Sequence, residues 1–360
     1  RSNNVLLNTF IYNVLLSKLS KAHRFEEAIY YFKDMDTTTV RKNNVTYGTI
    51  INACTRCGNE AYAKAFFKEM ESSPYYSPKV APFNIMLQYY VQDKKDRRAA
   101  LEFYEKLRKR NLSPSSHTYK LVIDAYTTIE PIDIVSADKV LLQILADNNA
   151  ITSKHYASLL YGRGVYLKDL DGAQKFYNGL VFNNRVRPDS SIFRAMIDSY
   201  VVNDAVESTP GILKEMVSYG IELDAVMANT LIRGWAKIST EKSRGLFNHI
   251  LSVGIAMPST YESMVRAYLF NGDVVSAQEI IGIMISHIYP QVVVNQLQQV
   301  VDQFVKGTLP SLGDKMTMLF ETVYNKDSSY SLLPVKAPKH MQGVLEDIDM
   351  VKSSPSLVEF

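Results

Sequence analysis

Val45-Thr46-Tyr47-Gly48-Thr49-Ile50-Ile51 opens a stretch that breaks at Gly58-Asn59 and resumes with Ala63, Phe66, Phe67 and Met70. Tyr47, Ile50, Ile51 and Cys54 stand at i, i+3, i+4 and i+7, one face of a helix. The second set repeats that period, so the stretch reads as helix, turn, helix. Gly58 supplies the positive φ that ends the first helix. Small Ala63 lets the two helices approach closely.

The pattern recurs along the chain. Tyr12, Tyr47, Phe83, Tyr119, Tyr156, Phe193, Ala228 and Tyr261 each head the same run of residues, 33 to 37 positions apart. Ala28, Ala100, Ala173 and Ala277 repeat the small residue, and Asn271-Gly272 repeats the turn. His23 stands where the turn glycine would be. Pro or polar segments such as Ser113-Pro114-Ser115, Arg187-Pro188-Asp189 and Met257-Pro258-Ser259 close the units, where Pro stops one helix and Ser or Asp caps the next. One hairpin cannot bury its own apolar face, whereas stacked neighbours can. The expected fold is therefore all-α: a right-handed α-solenoid superhelix of about eight to nine helix-turn-helix repeats. Residues 1–8 read as the end of an upstream repeat and 9–290 as eight hairpins. Residues 291–325 read as a degenerate pair with Leu297, Val300, Val301 and Phe304 inward. Residues 326–360 read as a polar, Pro-containing tail with a short helix around 341–350.

Composition narrows the function classes. Forty Lys and Arg against thirty-seven Asp and Glu give a net charge of +3, which by itself does not indicate nucleic acid. No run approaches the roughly 18 apolar residues of a membrane helix. Two cysteines build no disulfide scaffold. Cys54 and Cys57 form a single Cys-x-x-Cys without the further ligands a zinc site needs, and read as packing residues. No His-Glu-x-x-His, Walker loop or Gly-x-Ser-x-Gly elbow occurs, and Gly162-Arg163-Gly164 lacks a nucleotide fingerprint's third glycine and strand. The expectation is a non-enzyme with no cofactor and no metal. Asp93-Lys94-Lys95-Asp96-Arg97-Arg98 reads as a solvated loop of mixed charge.

The motif Val45–Ile51 with Gly58-Asn59, Ala63 and Phe67-Lys68-Glu69-Met70 resembles the pentatricopeptide repeat family. The endings Arg187-Pro188-Asp189 and Ile221-Glu222-Leu223-Asp224 are similar to that family's unit endings. The Trp, Leu-Gly and Tyr pattern of tetratricopeptide repeats is absent. Units of this length without inserted modules resemble the plain class, and the divergence resembles fungal mitochondrial members. The resemblance implies single-stranded RNA as partner, read one base per repeat by two or three side chains. It implies no DNA partner. It places one base selector directly after the helix-opening aromatic and the other at the last residue of the unit. The implied pairs are Asn13 with Asn43, Gly48 with Lys79, Asn84 with Ser115, Lys120 with Thr152, Ala157 with Asp189, Arg194 with Asp224, and Asn229 with Met257, with Glu262 heading the eighth unit. Asn13 with Asn43 and Asn84 with Ser115 match the family code and favour pyrimidines; the others depart from it. The implied base wedges, two residues before the aromatic, are Phe10, Val45, Ala81, His117, Lys154, Ser191, Val226 and Ser259. Lys120, Lys154 and Arg194 are candidate phosphate contacts. Lys21, Arg56 and Lys237 near first-helix ends are either phosphate contacts or ordinary helix C-terminal cations. By resemblance the chain acts in the mitochondrial matrix, or another organelle, in mRNA stabilisation, processing or translational activation. The alternative is a protein-interaction scaffold, for example a factor associated with the mitochondrial ribosome.

Overall fold

Every residue that heads a repeat is buried, from Tyr12 and Phe83 at 0% exposure to Tyr47 at 6%. The computed structural model describes residues 7–73, 77–182 and 186–307. Its helices pair in chain order as α1 (Thr9–Lys21) with α2 (Phe25–Thr37), α3 (Asn44–Arg56) with α4 (Glu60–Ser72), and α5 (Val80–Gln88) with α6 (Arg97–Lys109). Then come α7 (Ser116–Thr127) with α8 (Ile134–Ala146), α9 (Ser153–Leu160) with α10 (Leu170–Phe182), and α11 (Ser190–Val202) with α12 (Thr209–Ser218). α13 (Ala225–Ala236) pairs with α14 (Thr240–Val253), α15 (Pro258–Phe270) pairs with α16 (Val274–Ser286), and α17 (Gln291–Val305) follows. Among the described residues these are seventeen α-helices and no strand, in eight hairpins plus one helix. The chain forms two compact units, one up to Glu222 and one from Leu223 on.

In the first unit α1 packs on α3, α3 on α5, α5 on α7, α7 on α9 and α9 on α11. In the second unit α13 packs on α15 and α15 on α17. First helices therefore stack on first helices, and each second helix covers its own hairpin. The small residues sit at the hairpin seams, with Ala28, Ala63, Ala100, Ala173 and Ala277 fully buried. In the seventh hairpin Ser243 takes that place, and its Oγ donates to the Ile232 carbonyl at 2.9 Å. The anchor tyrosines also tie their hairpins shut. Tyr12 donates to Asp34 at 2.7 Å and Tyr47 to Glu69 at 3.1 Å, Tyr119 donates to Asp147, and Tyr261 bonds His287 at 2.8 Å. Burial raises the phenol pKa of Tyr47, Tyr119 and Tyr261. The bonded Tyr119 hydroxyl and the Arg108 guanidinium hold the Asp147 carboxyl below its usual range.

The hairpin turns use left-handed backbone at Gly58 (φ 70°), Gly272 (φ 76°) and, as its place in the sequence implies, His23 (φ 55°). The turns between hairpins do so too, at Gly220 (φ 74°) and Gly254 (φ 75°). At the equivalent place after α16 stands Ile288, with φ 57° and 91% exposure. A β-branched residue in this region is an outlier, and the left-handed conformation costs about 1–2 kcal/mol. Ile288→Gly is expected to stabilise the chain by about 1 kcal/mol in urea unfolding, because the side chain makes little packing to lose. An unchanged midpoint would contradict the strain.

Two first helices carry an irregularity that spacing hints at. Ala28 and Ala63 lie 16 residues after their anchors, whereas Ala100 and Ala173 lie 17 after theirs. α5 and α9 absorb the extra residue in π-helical turns at Tyr89–Asp93 and Tyr161–Tyr166, so that the second helices stay in register. Asp93, Lys94, Lys95, Asp96 and Arg98 are exposed, in keeping with a solvated run, and Arg97 is the exception. Asp93 ends the first π turn and Arg97 opens α6. The Arg97 guanidinium turns inward to the last turn of α7 and the loop after it, donating to Ala125 O at 2.9 Å and to the carbonyls of Ile129 and Pro131. α17 buries Val294, Leu297 and Val301, with Val300 and Phe304 partly buried. The expected second helix of the 291–325 pair, the tail 326–360 and most of 1–8 lie outside the described residues.

Candidate nucleic-acid interface

The residue after each anchor occupies one register position on its first helix. Stacking of first helices lines up Asn13, Gly48, Asn84, Lys120, Ala157 and Arg194 in the first unit, and Asn229 and Glu262 in the second. The unit-closing residues have a structural duty of their own. Asn43, Lys79, Ser115, Thr152, Asp189, Asp224 and Met257 are the N-caps of α3, α5, α7, α9, α11, α13 and α15. The first backbone N–H groups of a helix need an acceptor, so Asn, Ser, Thr and Asp are favoured there whatever else they do. Asn43 Oδ1 accepts from Val45 N and Thr46 N, both at 3.0 Å. Asp224 Oδ1 accepts from Met227 N at 2.8 Å.

Two of the expected pairs meet directly. Asn13 Nδ2 donates to Asn43 Oδ1 at 3.4 Å, and Asn84 Nδ2 donates to Ser115 Oγ at 3.3 Å. Asn229 takes a different partner. Asn229 is buried, and its Nδ2 donates to Ser259 Oγ at 2.9 Å, the hydroxyl expected as a wedge, while Met257 caps α15. An unbranched Met sulfur is a poor partner for an amide, whereas the Ser259 hydroxyl accepts from it. Gly48 presents no side chain, and a Cβ there would meet only Ile85 Cδ1 at 4.0 Å. Ala157 is buried.

Charges on the row are matched one turn further along the same helix. Lys120 Nζ bonds Asp124 Oδ2 at 2.5 Å, and Arg266 Nη2 bonds Glu262 Oε1 at 2.7 Å. Asp198, one turn after Arg194, accepts from Tyr161 OH at 2.6 Å and is buried. Arg233, one turn after Asn229, donates to Ser263 and Thr230, each at 3.1 Å. Sequence reading missed this second rung; its signal was the residue four positions after each selector. Among the wedge positions Phe10 (74%) and Val45 (61%) are exposed large apolar residues. Ala81, His117 and Lys154 are exposed, and Ser191, Val226 and Ser259 are half-buried. Lys21, Arg56 and Lys237 are exposed, at the last turn of α1, the last turn of α3 and the C-cap of α13. Cys54 is buried and its thiol is pushed up to about 12, with burial the chief cause, which suits packing.

One cap titrates. His155 is fully buried at the third position of α9, where Thr46, Thr118 and Thr260 stand in α3, α7 and α15. Its Nδ1 accepts from Thr152 N at 3.0 Å, and its Nε2–H donates to Ser116 O at 2.8 Å. That use of both nitrogens requires the neutral ring, and burial lowers its pKa from the ordinary 6.5. A depressed histidine contributes stability that is present above its unfolded pKa and is lost as pH falls below it. Acidification from about pH 7.5 to about pH 5 is therefore expected to lower the melting temperature of the wild type more than that of His155→Thr. Equal slopes would show that His155 is not held neutral.

Stacked helical hairpins whose first helices share one register position define a helical-repeat protein of the α-solenoid class. The family model described as "PPR repeat family" matches residues 7–56 and 78–128, and that described as "PPR repeat" matches 45–74, 191–221 and 259–287. The chain belongs to the pentatricopeptide repeat family. It is 37% identical over 308 residues to the mitochondrial pentatricopeptide repeat-containing protein 5 of Schizosaccharomyces pombe, covering 84% of this chain and 24% of that protein. A mitochondrial pentatricopeptide repeat-containing protein of Arabidopsis thaliana is 25% identical over 228 residues, covering 62% of this chain and 20% of its own length. The chain thus spans about a quarter or less of these relatives. Among solved structures, maize PPR10 superposes with a TM-score of 0.53 at 18% identity, covering 84% of this chain and 41% of that one. PPR10 in complex with an 18-nt psaJ RNA element superposes with a TM-score of 0.50 at 17% identity, covering 83% and 47%.

Proposed function

We propose that the chain binds single-stranded RNA along the first-helix row of each unit, and that in the cell this is an organellar, mitochondrial transcript. The observation that carries the reading is the meeting of a first-helix amide with the next helix's cap, Asn13 with Asn43 and Asn84 with Ser115, at the same register in two hairpins. A repeated polar pair beside an exposed apolar residue such as Val45 offers hydrogen bonds to a base edge and a surface for its face. Kinship to mitochondrial proteins and the RNA seen with PPR10 support the partner and the compartment. The mechanism is occupancy: the array covers a segment and excludes nucleases or secondary structure. Stabilisation, processing or translational activation of the transcript would follow. The remaining selectors, the wedges, and the exposed cations Lys21, Arg56, Lys154 and Lys237 complete the proposed interface.

Neutralisation of Lys120 by Asp124 and of Glu262 by Arg266 favours a second reading, a protein-interaction scaffold such as a partner of the mitochondrial ribosome. A binding selection on randomised single-stranded RNA separates the two. The wild type is expected to enrich a short motif with a pyrimidine at the position of the first hairpin. Asn13→Thr is expected to move that position towards adenine by about 1 kcal/mol, one hydrogen bond being exchanged for another. Absence of any RNA retention at low salt would leave the scaffold.

A further inference from the structure

The two selector pairs that meet do so in different states. In the first hairpin Asn43 Oδ1 is committed to capping α3 and takes Asn13 Nδ2, while Asn13 Oδ1 is buried without a hydrogen-bond partner. In the third hairpin the amide is held at both ends. Asn84 Nδ2 donates to Ser115 Oγ at 3.3 Å, and Asn84 Oδ1 accepts from Thr118 Oγ1 at 2.8 Å. Thr118 Oγ1 itself accepts from Ser115 N at 3.0 Å, which leaves its proton for Asn84. Ser115 Oγ accepts from Thr118 N at 3.2 Å, which leaves it a lone pair for the Asn84 amide. Each member of the capping box of α7 thus fixes one end of the amide. The amide is held between two hydroxyls of one capping box, and its plane cannot tilt without breaking a bond at one end.

We infer that Thr118 is a specificity-determining positioning residue: it fixes the plane and reach of the Asn84 amide that the third hairpin offers to a base. This rests on the proposed RNA reading. An amide held in one plane presents its outward polar atom at one angle, and a base whose edge does not match that angle is rejected. Thr118 is fully buried, so its hydroxyl acts through Asn84 and not on RNA. Thr260 provides the contrast. Its Oγ1 likewise takes the cap N–H, that of Met257 at 3.1 Å, and it is fully buried. The amide of that hairpin pair, Asn229, is bonded to Ser259 instead.

The test is the same selection on randomised single-stranded RNA, with wild type, Thr118→Val, Thr118→Ser and Thr260→Val, each checked by circular dichroism for helix content. Thr118→Val keeps the shape and removes the hydroxyl. It is expected to reduce base discrimination about tenfold at one nucleotide, the worth of about one hydrogen bond, and to leave the other positions unchanged. Thr118→Ser should restore the preference, and Thr260→Val, which loses the same kind of cap, should leave the motif intact. Equal loss in Thr118→Val and Thr260→Val would mean that only cap stability matters and would overturn the inference. An unaltered motif in Thr118→Val would overturn it too. Wild type without any enriched motif would instead overturn the RNA reading on which it stands.

Discussion

Phe67→Ala is expected to destabilise the first unit by about 3–5 kcal/mol, the cost of deleting a buried aromatic that its surroundings cannot refill. Phe67 is 2% exposed in α4. Its ring meets Phe83 of α5 edge-on at 5.0 Å and Phe103 of α6 at 5.2 Å, and Lys106 Nζ stands 5.0 Å above it. The residue thus belongs to one hairpin and packs into the next. Such edge-to-face pairs add about 0.5–1.5 kcal/mol beyond area burial. In a repeat array contacts are nearest-neighbour, so the loss should concentrate on the hairpins of α3 to α6. Hydrogen exchange should show α3 to α6 opening more readily, with protection in α15 and α16 little changed. A midpoint in urea equal to wild type would show that Phe67 is not part of the seam.

Phe67 was also readable from the sequence, and the reason marks what a sequence of this kind discloses. Helical period, small seam residues and turn glycines are local, and they recur, so eight weak signals reinforce one another. The buried anchors, the hairpin pairing and the left-handed His23 follow from that. The candidate interface was legible only as far as register goes. Position after the anchor is a helix-geometry statement, and Asn13, Gly48, Asn84, Lys120, Ala157 and Arg194 do share it. Which partner each side chain takes depends on rotamers and on neighbours in the adjoining hairpin, which no spacing encodes. Asn229 turning to Ser259, Lys120 bound by Asp124 and Asn84 clamped by Thr118 are all of that kind. Likewise one extra residue in a first helix signals an insertion without saying whether a loop or a π turn absorbs it. After Phe83 and Tyr156 it is a π turn; after Tyr119, where Ala137 lies 18 residues on and the excess is two, it is the loop that Arg97 ties down.

Gly164→Ala is the substitution with the sharpest steric consequence. Gly162-Arg163-Gly164 has the look of a nucleotide loop and is instead a packing device inside the π turn after α9. A Cβ on Gly164 would lie 2.0 Å from Ser199 Oγ and 2.4 Å from Ser199 Cβ in α11, and 3.1 Å from Ala173 Cβ in α10. Contacts below 3.0 Å demand movement, and here two helices press from different sides. Ser199 is fully buried with its Oγ bonded to Ala195 O at 2.6 Å, so its side chain cannot swing away without stranding a polar atom. The Gly164 carbonyl also accepts from Asn203 Nδ2 at 2.7 Å, a bond that any shift of the turn would lengthen. Overpacking of this kind costs about 3 kcal/mol, and this site leaves less room than most. The π turn is therefore expected to separate from α11 in Gly164→Ala, lowering the urea midpoint well below that of wild type. Compensation distinguishes a clash from a loss of backbone freedom. Ser199→Gly removes both offending atoms and should recover part of the loss in the double variant, since the two residues touch and their effects will not add. Ser199→Ala leaves the Cβ at 2.4 Å and should recover little. If neither second substitution improves on Gly164→Ala, the close approach of the two helices is not what requires glycine at this position.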